Sequence, residues 1–377
     1  MKIEQRTKIN GVWSAAIRRG ALLHPQLTLI FGSTVALREP ETWTELARLY
    51  PGARLVGCST AGEISGVQVL DDALVATALE LEHGHVAISA VQVGEAPDGL
   101  ELGARLANGL PREGLVHVLV ISEGLRVNGS ALVAGLVSAL PSGVAVTGGL
   151  SGDGPRFEHT AVCLDGPAPS QQIVAIGLYG ERLHIGFGSR GGWDPFGPER
   201  RITRATGNVL YELDGEPALD VYKRYLADHA GGLPATGLLF PLTIWSATSE
   251  PIVRTILAVD ATERSLTFAG DVPTGHHARL MRSNVERLVE GASHAARTSL
   301  EGAAQHGPEL AILISCVGRK LVLKQRTEEE VEAVREALGE AAVMTGFYSY
   351  GEISPFSRSA ACELHNQTMT VTTISER

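Results

Sequence analysis

Aromatic residues are scarce in this chain, 5% of 377 residues, so any cluster of them stands out against the background. Cysteines number four, Cys58, Cys163, Cys316 and Cys362, with no C-x-x-C pair among them. Their strand-like apolar surroundings ("AVCL", "ILISCVG") fit reduced, buried thiols rather than a disulfide framework or a cysteine zinc site. Eighteen consecutive apolar residues occur nowhere, and "MKIEQRTKINGVWSAAIRRG" carries no apolar signal core, so a spanning helix or secretion signal is not expected. Basic runs are missing too. The formal charge of −10 opposes nonspecific attraction to nucleic acid or anionic membrane. These absences together predict a cytoplasmic protein.

Signature motifs of catalysis are also lacking. No Walker G-x-x-x-x-G-K-[ST] occurs, and "GFGSRG" at 186–191 is followed by "GWDPFGP", which cannot open the helix that holds a pyrophosphate. Cys362-x-x-His365 has metal-like spacing, but "ACELHNQTMTVTTI" alternates as a strand and puts the two on opposite faces. No metal site is expected. G-x-S-x-G is absent, although Cys58 or Ser59 on a strand-end turn resembles a nucleophile elbow in outline. A cysteine or serine hydrolase is therefore the reading of another class.

Glycine is abundant, at 43 residues, and it is patterned. "GCSTAGEI" (57–64) returns as "GFYSYGEI" (346–353), sharing G-x-x-[ST]-x-G-E-I. Each half of the chain reads strand–strand–helix–strand–helix–strand–glycine turn, beginning near 73 and near 252, and a shorter strand–helix–strand–turn unit precedes the first. "VHVLVIS" and "LAILISCVG" read as buried strands. "SALVAGLVSAL" reads as a helix capped by Ser130, and "TEEEVEAVREALG" as one bounded by Thr327 and Gly339. "ALVATALELEHGHVAISAVQV" looks like a hairpin folded at His83–His85, and 277–303 like one long helix. The Gly/Pro-rich "SRGGWDPFGPERR" (189–200) signals a boundary.

The expectation is an α/β fold with mixed sheets: two related halves from an internal duplication, each roughly ββαβαβ, spanning 20–195 and 196–377. Glycine turns at strand ends would rim a ligand pocket between them. The pocket candidates are Cys58, Ser59, Thr60, Gly62, Glu63, Gly149, Ser151, Phe347, Tyr348, Tyr350, Gly351 and Glu352. Glu63 and Glu352 are open to two roles, accepting from backbone amides within the turn or gripping a ligand amine.

A family resemblance rests on several of these stretches. "GCSTAGEI", "VTGGLSGDG", "TRATGNVLYELDGEPALDVYKRYL", "ISCVGRK", "GFYSYGEISP" and "LHNQTMTVTTI" resemble the FIST sensory domain, N- and C-terminal parts, from about residue 25 to the end. The resemblance implies a non-enzymatic sensor of small ligands such as amino acids. Free-standing members include the NosP group, haem-bound nitric oxide sensors that work with a histidine kinase or a cyclic-di-GMP enzyme. With no kinase, HAMP, receiver or EAL-like segment in the sequence, the signal is expected to pass to a separate partner. C-x-x-C-H is absent, so the haem implied is of the b type, needing an apolar slot and an axial ligand. His365, inside a family motif on a strand, and His294, in "GASHAARTSL", are the candidate ligands.

Overall fold

The structure, a computed structural model, describes residues 1–376 apart from 96, 168–170, 248, 302–306 and 357–359. Its strands form sheets of seven, six, six and eight strands, so the mixed α/β class holds. Three sheets repeat one unit. In each, a buried strand is joined by a helical crossover to a parallel neighbour, and two antiparallel strands complete the other side. The first unit pairs Leu27–Gly32 with Arg54–Ser59, then adds Leu74–Glu80 and Lys2–Ile9. The second pairs Leu115–Ser122 with Ala145–Leu150, then adds Gln172–Tyr179 and His85–Gln92. The third pairs Leu310–Cys316 with Val343–Ser349, then adds Met369–Glu376 and Leu183–Arg190. The repeat read from the sequence is present, and the short leading unit is its third copy; the copy expected to begin near 252 opens instead with Leu183–Arg190, because Ser249–Arg254, Ile256–Asp260 and Ser265–Phe268 pair within the eight-stranded sheet.

The strands "LVHVLVIS" and "LAILISC" are mostly apolar because both their faces are covered, and their polar members His117, Ser122 and Ser315 are buried with them. Helices Gly99–Asn108 with Gly129–Ala139, and Val285–Leu300 with Thr327–Leu338, pack over the outer faces. On the inner faces Leu29, Phe31, Leu119, Ile121, Ile312 and Ile314 meet in one cluster. Equivalent residues join the sheets in turn. Thr77 Oγ1 donates to Thr345 Oγ1 and Thr372 Oγ1 to Thr147 Oγ1, each at 2.9 Å. By strand register the third such pair is Val56 and Ile176, both in the central cluster.

The glycine turns close this arrangement into a ring. After each turn the chain crosses into a neighbouring sheet. Glu63–Ser65 pairs with the third unit, Val162–Leu164 with the first and Gly351–Pro355 with the second. Three matching backbone bonds tie turn to turn: Ala61 N to Tyr348 O (2.8 Å), Gly152 N to Ser59 O (2.9 Å) and Tyr350 N to Leu150 O (3.2 Å).

The eight-stranded sheet is an insert in the third unit, between Leu183–Arg190 and Val285–Leu300, with its own core around Ile202, Tyr222 and Phe268. Several sequence expectations are corrected here. The stretch 189–200, read as a boundary, is where the chain passes from Leu183–Arg190 into the insert, and it is folded, since Trp193–Thr206 is one long strand. Pro198 falls where pairing to His277–Ser283 shifts between Phe196 and Arg200, a bulge that needs no regular ladder donor, while Pro195 stays in register with Met281. The helix expected over 277–303 begins only at Val285, capped by Asn284, because 277–283 is that partner strand; positions 302–303 lie outside the described residues. Leu74–Glu80 and His85–Gln92 are no hairpin, since they pair into different sheets. The cap of Gly129–Ala139 is Asn128, whose Oδ1 accepts from Ser130 N and Ala131 N. Among the described residues no helix is long and apolar enough to cross a membrane.

Candidate functional site

The turns that the sequence singles out are locks. Thr60 Oγ1 donates to Glu63 Oε1 (2.5 Å), and Ala73 N, at the entry to the next strand of the same unit, donates to Glu63 Oε2 (3.1 Å). In the related turn Ser349 Oγ donates to Glu352 Oε1 (2.6 Å), while Thr368 N and Oγ1 donate to Oε2 (3.1 and 2.9 Å). The same two-ended clasp appears twice, which is why the frame repeats. Burial outweighs these bonds and raises the Glu63 carboxyl to about 7 and that of Glu352 to about 8. Neither carboxyl faces solvent. Gly62 holds φ +138°, a region that side chains avoid, whereas Gly351 pairs with Leu150 in the sheet and has no such φ.

The aromatic cluster divides among three tasks. Phe347 stacks with Phe31, ring centroids 4.8 Å apart, in the central cluster, and its Cζ would lie 3.5 Å from a Cβ added at Gly149. Tyr348 donates its hydroxyl to Glu330 (2.7 Å), a carboxylate that also holds the fully buried Arg319. Tyr350 reaches into the loop 152–159. Its hydroxyl donates to the Asp153 carboxylate and accepts from Phe157 N (3.2 Å), while Phe157 stacks on its ring at 4.1 Å.

Ser59 Oγ accepts from Ala161 N (2.8 Å), and Ser151 is fully buried. Cys58 is fully buried, and burial pushes its thiol well above its usual range, the opposite of an activated nucleophile.

An open cleft lies next to this ring, between the second unit and the insert, with a volume of about 590 Å³. That is within the ordinary range of small-molecule sites. None of the twelve residues expected at a pocket lines it; their neighbours Leu150 and Phe157 do. Leu125, Val127, Leu150, Phe157, Leu257 and Phe268 supply its apolar surface. Asp98, Arg126, Asn128, Asn208 and Thr267 are its polar members. The loop that forms one wall, "SEGLRVNG" (122–129), follows a strand end and wraps its own carboxylate. Glu123, buried, accepts from Leu125 N (2.8 Å), Arg126 N (2.7 Å) and Thr160 Oγ1 (3.0 Å). That glycine-bracketed run after "VHVLVIS" was the available sequence signal.

At the related positions beside the other two units, a bond joins the helix start to an incoming segment. In the third unit Lys320, on the helix Val317–Leu323, lies against the incoming turn, donating to Ala61 O (2.9 Å) and to the Asp71 carboxylate. In the first unit Thr34 Oγ1 binds His159 O (3.1 Å), closing the helix start against the loop from the second unit.

The stretch "LHNQT" (364–368) fastens the insert. Asn366 Oδ1 accepts from Thr255 N (3.3 Å) and its amide donates to Tyr350 O (3.3 Å). Gln367 Nε2 donates to Leu238 O and Thr255 Oγ1, both at 2.9 Å. Arg254, fully enclosed, bonds Leu364 O (2.8 Å), Asp271 O (3.0 Å) and Ser130 Oγ (3.3 Å). Burial without a bonded carboxylate brings its guanidinium down to about 10.

The histidine candidates do not present a haem slot. His365 Nε2 bonds Ser354 O at 2.7 Å, the ring packs on Phe356 at 3.9 Å, and burial lowers its pKa to about 3. His294 is exposed on its helix, in a groove with Glu286, Glu290, Arg297, Glu301 and Glu336. The cleft itself has no His, Cys, Met or Tyr among its lining residues, so it offers no usual axial ligand.

Comparison with known proteins decides the family. The FIST N domain matches residues 26–216 and the FIST C domain residues 218–355. The chain belongs to the FIST family. FIST domains are associated with small-ligand sensing in signalling. The uncharacterized protein MJ1623 of Methanocaldococcus jannaschii is 26% identical over 204 residues, covering 50% of this chain and 38% of its own length. The chain thus spans under two-fifths of that curated relative. A cyanuric acid hydrolase of A. caulinodans aligns over 94% of this chain and 90% of its own, at 12% identity and a TM-score of 0.33.

Proposed function

We propose that this FIST protein is a sensor that takes a small organic ligand into the cleft between its second unit and the insert, and passes the signal to a separate partner without catalysing a reaction. One observation carries the reading: an open cleft of about 590 Å³ lies between the second unit and the insert, with an apolar lining and a few polar groups. The insert that roofs it is tied to the turn ring through Asn366 and Tyr350, so a ligand touching both walls acts on both bodies. The finer reading drawn from the resemblance, nitric oxide sensing through haem, has no fitting donor at His365, His294 or the cleft. The amine-gripping role considered for Glu63 and Glu352 is taken up by the turn clasps. An amino acid bound in the cleft remains one member of the proposed ligand class.

The test is a thermal-shift screen of metabolites on the wild type and on Ala258→Trp, which fills the exposed rim at Ala258. A ligand bound to the native state raises Tm by mass action. Its shift should vanish in the filled variant. A ligand that stabilises both proteins equally binds elsewhere and overturns the reading, as would a stoichiometric Soret band in protein reconstituted with haem.

A further inference from the structure

Resting on the cleft as the ligand site, we infer that its ligand is an organic carboxylate with a planar, apolar body, and that Arg126 is the residue that reads the carboxylate. The argument is one of unmatched charge. Two charged side chains line the cleft, Asp98 and Arg126. Asp98 is spent on the fold: its Oδ1 caps the helix Gly99–Asn108, accepting from Leu100 N (2.9 Å) and Glu101 N (3.3 Å), where the helix terminus offsets its charge.

Arg126 has no such counterpart. Its Nη1 donates to the amide oxygen of Gln171 (2.7 Å) and its Nη2 to the backbone oxygen of Glu95 (2.9 Å), both uncharged acceptors. Among the described residues no carboxylate lies within 4.0 Å of it. Those two bonds fix the plane of the guanidinium and leave three of its five N–H groups free, a pre-set fork for a carboxylate.

The body of the ligand follows from the rest of the lining. Phe157 has one ring face on Tyr350 and belongs to the cleft wall, and Phe268, Leu125 and Leu257 add apolar surface. An aromatic or other flat ring stacks on such a wall, as aromatic pairs do. An inorganic anion uses none of it. A cationic amine meets Arg126 with like charge.

The experiment titrates calorimetrically three probes of one shape: 3-phenylpropionate, its neutral amide 3-phenylpropionamide, and the cation 3-phenylpropylamine. The proteins are the wild type, Arg126→Gln, Arg126→Lys and Ala258→Trp. The carboxylate should bind the wild type at least about tenfold more tightly than the amide, with the amine undetected, in keeping with a charge-assisted bond. Arg126→Gln should remove that preference, Arg126→Lys should keep part of it, and Ala258→Trp should abolish binding. Equal affinity for carboxylate and amide, no carboxylate binding at millimolar concentration, or an unchanged preference in Arg126→Gln overturns the inference. If the amide or the amine binds and Ala258→Trp removes it, the cleft reading stands while the carboxylate assignment falls. If the carboxylate binds but Ala258→Trp leaves it intact, the cleft reading falls as well.

Discussion

Replacing Glu352 by Gln should make the protein more stable in alkaline solution and leave it nearly unchanged in acid. The carboxyl is fully buried and accepts three bonds, from Ser349 Oγ, Thr368 N and Thr368 Oγ1. Desolvation is the larger effect and raises its pKa to about 8 from a reference of 4.5. A raised carboxyl pKa means that the folded state holds a proton the unfolded state has released. Its stabilising effect is complete below about pH 4.5 and is lost as pH rises through about 8. The difference between the two values, at ~1.4 kcal/mol per pH unit, gives a loss of ~5 kcal/mol once both states are ionised.

Glutamine reproduces the neutral acid in shape. Its oxygen can accept from Thr368 and its amide can donate to Ser349 Oγ, but it does not titrate. Urea unfolding of wild type and Glu352→Gln at pH 5, 7 and 9 isolates this group, because other titrations cancel in the difference. The variant should lie within ~1 kcal/mol of wild type at pH 5 and gain several by pH 9. Glu63→Gln supplies an internal control. Its carboxyl rises only to about 7, with Lys320 among the groups opposing the shift, so the gain should level off earlier and near ~3 kcal/mol. A stability difference that does not change with pH in either variant would refute the buried-acid account of the repeated turn.

Other outcomes follow from single contacts. Glu330→Gln leaves Arg319, at 0% exposure, without its counter-charge, and should cost ~3–5 kcal/mol in chemical unfolding; a loss below ~1 kcal/mol would contradict it. Tyr350→Phe deletes the hydroxyl that accepts from Phe157 N and Asp153 N, so amide exchange at residues 153–159 should accelerate while Tm moves little; unchanged protection would show that the loop holds itself. Gly62→Ala meets both a φ of +138° and Lys320 Nζ at 2.3 Å, so it should cost ~1–3 kcal/mol and more than Gly351→Ala, whose nearest contact is 3.1 Å; the reverse order in Tm would be inconsistent with this geometry.

What the sequence made legible was local, and what it hid was the closure of the chain. The glycine frame, the buried strands and the helix stop at Gly339 are written in adjacent residues, so they could be read, whereas both expected N-caps missed: Asn128 caps in place of Ser130, and Thr327 is already inside its helix, after Arg326. The third copy of the turn escaped the frame because "GGLSGDG" carries no Glu after it. Register puts Val162 where Glu63 and Glu352 sit, after a loop that the other turns lack. The crossing of each turn into a neighbouring sheet leaves no local trace, since a strand's pattern states which face is buried and not which sheet it joins. The same limit explains the pocket. Residues on the turns were conspicuous for composition, yet closing a ring of three turns consumes their hydrogen bonds and packs Phe347 into the centre. The open space then falls to whatever lies just outside the ring. "SEGLRVNG" and the insert strands Ile256–Asp260 and Ser265–Phe268 are far apart in sequence, and only the fold sets them face to face. A motif that recurs to close a fold is thus poor evidence for where a ligand binds.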